Sequence, residues 1–411
     1  MQNLPKLRFR DFKYSDFRLG TIGDFGFFYY GKSAPKTSVT PDGATPCVRY
    51  GELYSTYGPI IQTIKSKTNI PPKELKLSKG GEVLVPRVGE NPMDFAMCSY
   101  LPFEGVAIGE MISVYNTTED GKYISQYFNG KMKKHFARVV EGGNVSNLYF
   151  RYLEPIDIAL PSLEEQQKVV SFLTAVDTKI EQLTQKEALL KQYKKGVMQK
   201  IFSQEIRFKA DDGSEFPEWE ESTVGEHFDV GSSKRVLQQD WVREGVPFYR
   251  TRELVSLARS EPFSSEIFIT TEMYEQLAKK YGVPSAGDYL VSGVGTLGIY
   301  YQVHDGDKFY FKDGNVLWLK RRPTINSDFF RYCFESEFVQ SQIVAQASTT
   351  TVGTYTIQNA RKTRLVLPRS LEEQEKISAV LGAMDRKIRG VAKQLEVAKT
   401  FKKGLLQQMF V

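Results

Sequence analysis

The sequence predicts a mixed α/β (α+β) fold: two globular domains separated by two long helices, the helices forming an antiparallel coiled coil and the whole related by a pseudo-twofold internal repeat. Three observations predict it. A forty-residue segment near the middle returns at the end, apolar residues inside each copy recur at helical steps of three and four, and short β-rich runs precede each copy. The chain has 411 residues, 41% hydrophobic and 25% charged. That is enough for several domains and too apolar for a disordered polypeptide.

The repeat comes first. Residues 163–202 begin LEEQQKVVSFL and close YKKGVMQKIF, and residues 371–410 begin LEEQEKISAVL and close FKKGLLQQMF. Sixteen of the forty aligned positions are identical at a constant offset of 208, so that Leu163 falls on Leu371, Asp177 on Asp385 and Gly196 on Gly404. Each copy reads as one helix. Ser162 or Ser370, followed three residues later by Glu165 or Glu373, has the spacing of a capping box. In the first copy Leu173, Val176, Ile180 and Leu183 form the seam, which Glu187 and Lys194 interrupt further on. In the second, Leu381, Met384, Ile388, Val391 and Leu395 form it, with a gap at Lys402. This is a coiled-coil pattern, and at ~1.5 Å per residue each helix is roughly 60 Å long. Matched length and register favour pairing of the two stripes. The alternative is that each packs separately on a globular domain.

The segments ahead of the helices echo each other more faintly. Leu7-Arg8-Phe9 resembles Ile206-Arg207-Phe208, the stretch from Pro46 to Arg49 resembles Pro247 to Arg250, and Gly81 to Val85 resembles Gly287 to Val291. Short runs rich in Val, Ile, Tyr and Phe, punctuated by Gly, Pro and Asp, indicate irregular domains with strongly β cores. The order is domain (1–160), helix (161–205), domain (206–368), helix (369–411).

Several chemistries are excluded by what the sequence lacks. Cys47, Cys98 and Cys333 are far apart and no histidine lies near them, so neither a zinc site nor a disulfide framework is expected, and no metal ligands are assigned. No signal-peptide pattern or membrane-length apolar run occurs, which points to the cytosol. No Asp/Asn-Pro-Pro-aromatic motif of an amino-methyltransferase and no Walker loop is found, so no catalytic residue is assigned. Gly293 to Gly298 matches the dinucleotide fingerprint, but a strand-like run follows where that fingerprint needs a helix; it reads as a glycine turn between strands. Such a turn still lets Ser292 and Thr296 approach a phosphate.

The net charge of +6 permits nucleic-acid binding without demanding it. Candidate DNA-binding side chains are Lys131, Lys133 and Lys134, beside His135 and Arg138, and Arg49 and Arg87 in the first domain. In the second they are Arg250 and Arg252, Lys279 and Lys280 beside Tyr281, and Arg361 beside Lys362. These suit phosphate oxygens and guanine edges. Arg49 and Arg250 hold the echoed position; an ion pair with Glu52 or Glu253 is the equal alternative.

This layout, two unlike domains alternating with two LEEQ-headed, KKG-tailed helices, resembles the specificity subunit of type I restriction-modification systems over essentially the whole chain. Leu160-Pro161 before LEEQQK, Leu367-Pro368 before LEEQEK, and Phe216-Pro-Glu-Trp219 carry the likeness; Phe12 to Phe17 replaces the last signature in the first copy. The resemblance implies two target recognition domains reading a bipartite, asymmetric site in double-stranded DNA, with the helix pair setting the gap. It also implies two methyltransferase and two restriction/translocase partner subunits that hold the S-adenosylmethionine, ATP and Mg, leaving this chain with no cofactor of its own. A coiled-coil scaffold that binds partners without reading DNA is the competing interpretation. A chain that itself methylates or cuts DNA is a third.

Overall fold

The computed structural model describes residues 5–32, 35–259, 261–263, 265, 267–347 and 353–410. They fall into two compact units, one built from the residues up to Thr184 together with those from Ala392 onward, the other from Gln185–Val391.

In the first unit the central sheet has the order Gly26–Tyr30, Ile112–Thr117, Glu82–Pro86, Ser99–Leu101, all antiparallel. Every residue from Glu82 to Pro86 is buried, because both faces of the sheet are covered. The pleat sends alternate side chains to different cores: Val83 and Val85 join one with Tyr115 and Phe128, while Leu84 joins another with Val48 and Leu53. A second sheet sets Thr45–Val48 parallel to Glu104–Ile108. A short ladder, Arg18–Thr21 with Asp157–Leu160, leads into the first long helix.

The second unit repeats this plan with different side chains. Its central sheet runs Phe228–Gly231, Val316–Arg321, Tyr289–Ser292, Tyr300–Gln302. Here too the pleat divides the strand: Tyr289 and Val291 enter one core, Leu290 another. Val246–Tyr249 lies parallel to Tyr310–Phe311, and Glu220–Thr223 pairs with Arg364–Leu367 ahead of the second long helix.

The helices run Leu163–Phe202 and Leu371–Met409. In the first unit Leu173 and Val176 share a core with Leu405, Leu406, Met409 and Phe410 as well as with the domain's Tyr123 and Tyr127. In the second, Leu381 and Met384 share one with Val197, Met198 and Ile201 and with the domain's Phe329 and Tyr332. Pairing and packing on a domain are thus the same contact. Leu183, Val391 and Leu395 are buried, while Ile180 and Ile388 are half-buried. The lysines that interrupt the seam have partners: Lys194 Nζ lies 2.7 Å from Asp385 Oδ1, and Lys402 Nζ lies 2.5 Å from Asp177 Oδ1. In each pair the start of one helix meets the end of the other, so the segments are antiparallel. Both pairs are the same pair under the 208-residue repeat.

The expected capping boxes are only partly formed. Glu165 N–H donates to Ser162 Oγ at 3.3 Å, but the Glu165 carboxylate takes two bonds from Arg8, each 2.7 Å, instead of closing the box. Glu373 likewise accepts from Arg207 Nε at 3.1 Å and from the Trp219 indole at 3.1 Å. In the first unit Phe17 takes the place of that tryptophan, its ring 4.6 Å from the Arg8 guanidinium. The following glutamines join domain to helix. Gln166 Oε1 accepts from Asp120 N–H at 3.1 Å and Gln374 Oε1 from Asn326 N–H at 2.8 Å, each at the N-cap of a domain helix. The first long helix ends through Gln204, at φ 61°, after which Ile206 N–H donates to Lys200 carbonyl at 3.1 Å. In the first unit Leu7 N–H donates to Gln408 carbonyl at the same 3.1 Å.

Candidate nucleic-acid interface

In both units a strand ends in an arginine and a helix begins at the next residue. Arg49 precedes the helix Tyr50–Ser55, and Arg250 precedes Thr251–Ala258. The third helical residue of each, Glu52 or Glu253, accepts the arginine's backbone N–H, at 2.8 and 3.0 Å, and so satisfies a donor that a helix start leaves open. The same buried carboxylates hold the guanidinium groups. Arg250 Nη2 lies 2.6 Å from Glu253 Oε1 and Arg252 Nη2 3.0 Å from it, while Arg49 Nε is 3.9 Å from Glu52 Oε2. Burial pushes the Glu253 carboxyl up, but the hydrogen bonds from Arg250 outweigh it and leave the group below its ordinary value. The ion pairs weighed against base contact are therefore present in both units. They fix the arginines' direction.

The glycine loop connects two strands, Tyr289–Ser292 and Tyr300–Gln302, with no helix to receive a dinucleotide phosphate. Ser292 is fully buried: its hydroxyl donates to the Thr296 carbonyl and accepts from Ile299 N–H at 3.0 Å. Its expected role as a DNA contact is corrected on that ground, since the hydroxyl is used up inside the loop. Thr296 is exposed, and with Val294, Gly295 and Asn315 it faces Thr251, Arg252, Val255 and Ser256 across an open cleft of about 460 Å³. Gly295, at φ 81°, needs its glycine for this turn. The structure thus brings Arg252 and Thr296 together. The first unit sets its helix against the corresponding loop: Tyr54 Oη donates to the Val88 carbonyl at 3.0 Å. Beside it the Arg87 guanidinium covers the Tyr30 ring at 4.7 Å, with Nη2 3.1 Å from Met111 Sδ.

The remaining candidates form separate patches. Lys131 caps the helix Gly121–Gly130, and Lys133 and Lys134 open Lys133–Arg138. None of the three has a carboxylate within ion-pair distance among the described residues. Burial, then the charges of Arg138 and Lys131, hold His135 below its ordinary value, so these cations share one field. In the second unit Lys279 and Lys280 occupy the last turn of Thr271–Tyr281. Lys280 and Lys234 lie 5.3 and 5.6 Å from the Tyr281 ring, and Lys308 lies 5.4 Å from Tyr274. Lys234 and Lys308 were not evident from the sequence, because neither is adjacent along the chain to the ring it meets. Arg361 stands apart from the cleft, its Nη2 donating to the Val230 carbonyl at 2.8 Å. Among the described residues no cluster of three His, Cys, Asp or Glu could hold a metal ion. No helix among the described residues is long and apolar enough to cross a membrane.

A duplicated mixed α/β unit, each copy with an arginine ahead of a short helix and followed by a long helix, defines a two-domain repeat as the class of protein. The chain belongs to the family of the type I restriction modification DNA specificity domain, whose family model matches residues 14–192 and 217–399, and is the specificity subunit of such a system. It is 23% identical over 414 residues to the type I restriction enzyme MjaVIII specificity subunit of Methanocaldococcus jannaschii, covering 95% of this chain and 91% of that one. Among solved structures it resembles the type I restriction-modification S subunit from M. genitalium, with TM-score 0.60, 15% identity and 99% of each chain covered. The HsdS subunit from Thermoanaerobacter tengcongensis gives TM-score 0.51 at 16% identity, covering 97% of this chain and 96% of that one.

Proposed function

We propose that each recognition domain reads one half of a bipartite, asymmetric double-stranded DNA site, and that the chain supplies this address without catalysing anything itself. The observation that carries the reading is the recurrence of one strand-arginine-helix arrangement in two units whose surrounding side chains differ. Two similar readers give two half-sites, and their differences make the halves unlike. Arg49 and Arg87 in one unit, and Arg250, Arg252 and Thr296 in the other, are the candidates for base edges. Lys131, Lys133, Lys134, Lys279, Lys280 and Arg361 are the candidates for phosphates. Two modification subunits and two restriction/translocase subunits would assemble on this chain and bring S-adenosylmethionine, ATP and Mg, in the cytosol where the DNA lies.

The test is a map of methylated adenines in cells with and without this chain. Loss of one bipartite motif, and of no other, is the expected result. An unchanged methylome, or a purified complex indifferent to DNA sequence, would leave only a partner-binding scaffold.

A further inference from the structure

Counted from Asp120 and Asn326, the N-caps of two equivalent domain helices, the units part company at three places. Five, six and nine residues on, the first unit has Ser125, Gln126 and Asn129, and the second has Arg331, Tyr332 and Glu335. Ser125 and Asn129 turn into their own domain: Ser125 Oγ donates to the Pro59 carbonyl at 2.6 Å and Asn129 Nδ2 to the Cys98 carbonyl at 2.7 Å. Asp177, on the first long helix, keeps only Lys402 among the described residues, and its side chain is 41% exposed. The side chain of its counterpart Asp385 is 17% exposed, and both of its oxygens are taken. Oδ1 faces Lys194 Nζ at 2.7 Å, while Oδ2 accepts from Tyr332 Oη at 2.7 Å and from Arg331 Nη2 at 3.1 Å. Lys194 Nζ also lies 3.7 Å from Glu335 Oε2, and the other oxygen of Glu335 accepts from the Tyr300 hydroxyl. Both long helices are thereby wired to Tyr300, within the second unit, through one network of charge.

Tyr300 opens the edge strand to which the glycine loop returns. At that return Ser292 N–H donates to the Ile299 carbonyl at 2.8 Å, and a Cβ on Gly298 would lie 3.3 Å from both Gln340 Oε1 and Ile343 Cδ1. The base of the loop is thus seated on the charged network and on the helix Glu337–Ala347, while Thr296 stands across the cleft from Arg252. We propose that Tyr300, Glu335 and Asp385 are positioning residues for reading DNA in the second domain. Through them the long helices hold the returning end of the glycine loop, and so the place of Thr296 opposite Arg252. The inference rests on the proposed reading of DNA by this domain. A loop held before the duplex arrives loses less freedom on binding, and its contacts separate right from wrong bases more sharply. The first unit lacks these side chains, so its half of the site does not depend on Asp177 in this way.

The test titrates the purified complex carrying the full chain with duplexes of the mapped motif, scrambled in one half at a time. Tyr300→Phe removes one hydroxyl and keeps the ring against Tyr289 and Phe334, so it should melt close to the parent. Its discrimination against one scrambled half should fall about three- to ten-fold, the range of one hydrogen bond, with the other half unchanged. Glu335→Ala should do the same, and Glu335→Gln, which keeps an acceptor for Tyr300, should retain most of the discrimination. Asp385→Asn should weaken that same half and Asp177→Asn neither. Parental discrimination in both Tyr300→Phe and Glu335→Ala, an equal loss on every duplex, or equal effects of Asp177→Asn and Asp385→Asn would overturn the proposal. A parent complex that ignores scrambling of either half would instead overturn the proposed reading of DNA, a result distinct from any that the variants give.

Discussion

At the strand end in the second unit, Arg250 is both clamped and presented. Glu253 holds its guanidinium, and Arg252 shares the same carboxylate oxygen. Truncating it as Arg250→Ala is expected to cost ~1 to 3 kcal/mol of DNA affinity if it makes a bidentate base contact, in one half-site only. Titrations against duplexes scrambled in one half at a time would show this; an equal loss on every duplex would mark Arg250 as a phosphate contact. His227 permits a prediction about pH. It is buried, with Nε2 2.9 Å from Ser222 Oγ and Nδ1 3.0 Å from Thr324 Oγ1, and burial holds it below its ordinary value of 6.5. As pH falls, the unfolded chain takes up this proton before the folded one does. The stability is therefore complete above the unfolded value and is lost on acidification below it. Thermal melts between about pH 7 and pH 5 should decline more steeply for the native chain than for His227→Gln.

At the scale of elements, the joints between domains and helices depend on a few buried ion pairs. Arg8 and Glu165 are 12% and 4% exposed and doubly bonded, so Arg8→Ala leaves a buried carboxylate without its cation. A loss of ~3 to 5 kcal/mol in urea unfolding is expected, with Arg8→Met less severe because it keeps the packing over Phe17. A loss below 1 kcal/mol would show that solvent reaches Glu165 readily. These joints were hidden in the sequence for a definite reason. Ser162 and Glu165 satisfy a local rule, whereas the partner that the carboxylate takes is 157 residues away. Lys194 and Lys402 looked like flaws in an apolar seam for the same reason, since Asp385 and Asp177 come from the other helix. The repeat, the long helices and the β cores were legible because periodicity and self-similarity are properties of the chain alone. The equivalence of Arg49 and Arg250, each ahead of a short helix, was legible too. The burial of Ser292, and Lys234 beside Tyr281, depend on how strands fold back and could not be read from spacing.

At the scale of the molecule, two units of one plan imply that specificity is separable. Replacing residues 1–150 by the first domain of another family member is expected to change one half of the methylated motif and leave the other intact. A change in both halves would show that the domains do not read independently. The repeat has one more consequence, carried by the hydrogen bond from Leu7 to Gln408. It reproduces, between distant residues, the contact that Ile206 makes with Lys200 across an ordinary loop. The two junctions are in this sense equivalent. A circular permutant, joined from residue 410 to residue 5 by a linker as short as that loop and cut beside Gln204, should melt at the same temperature as the parent. Order along the gene would then be incidental to the fold.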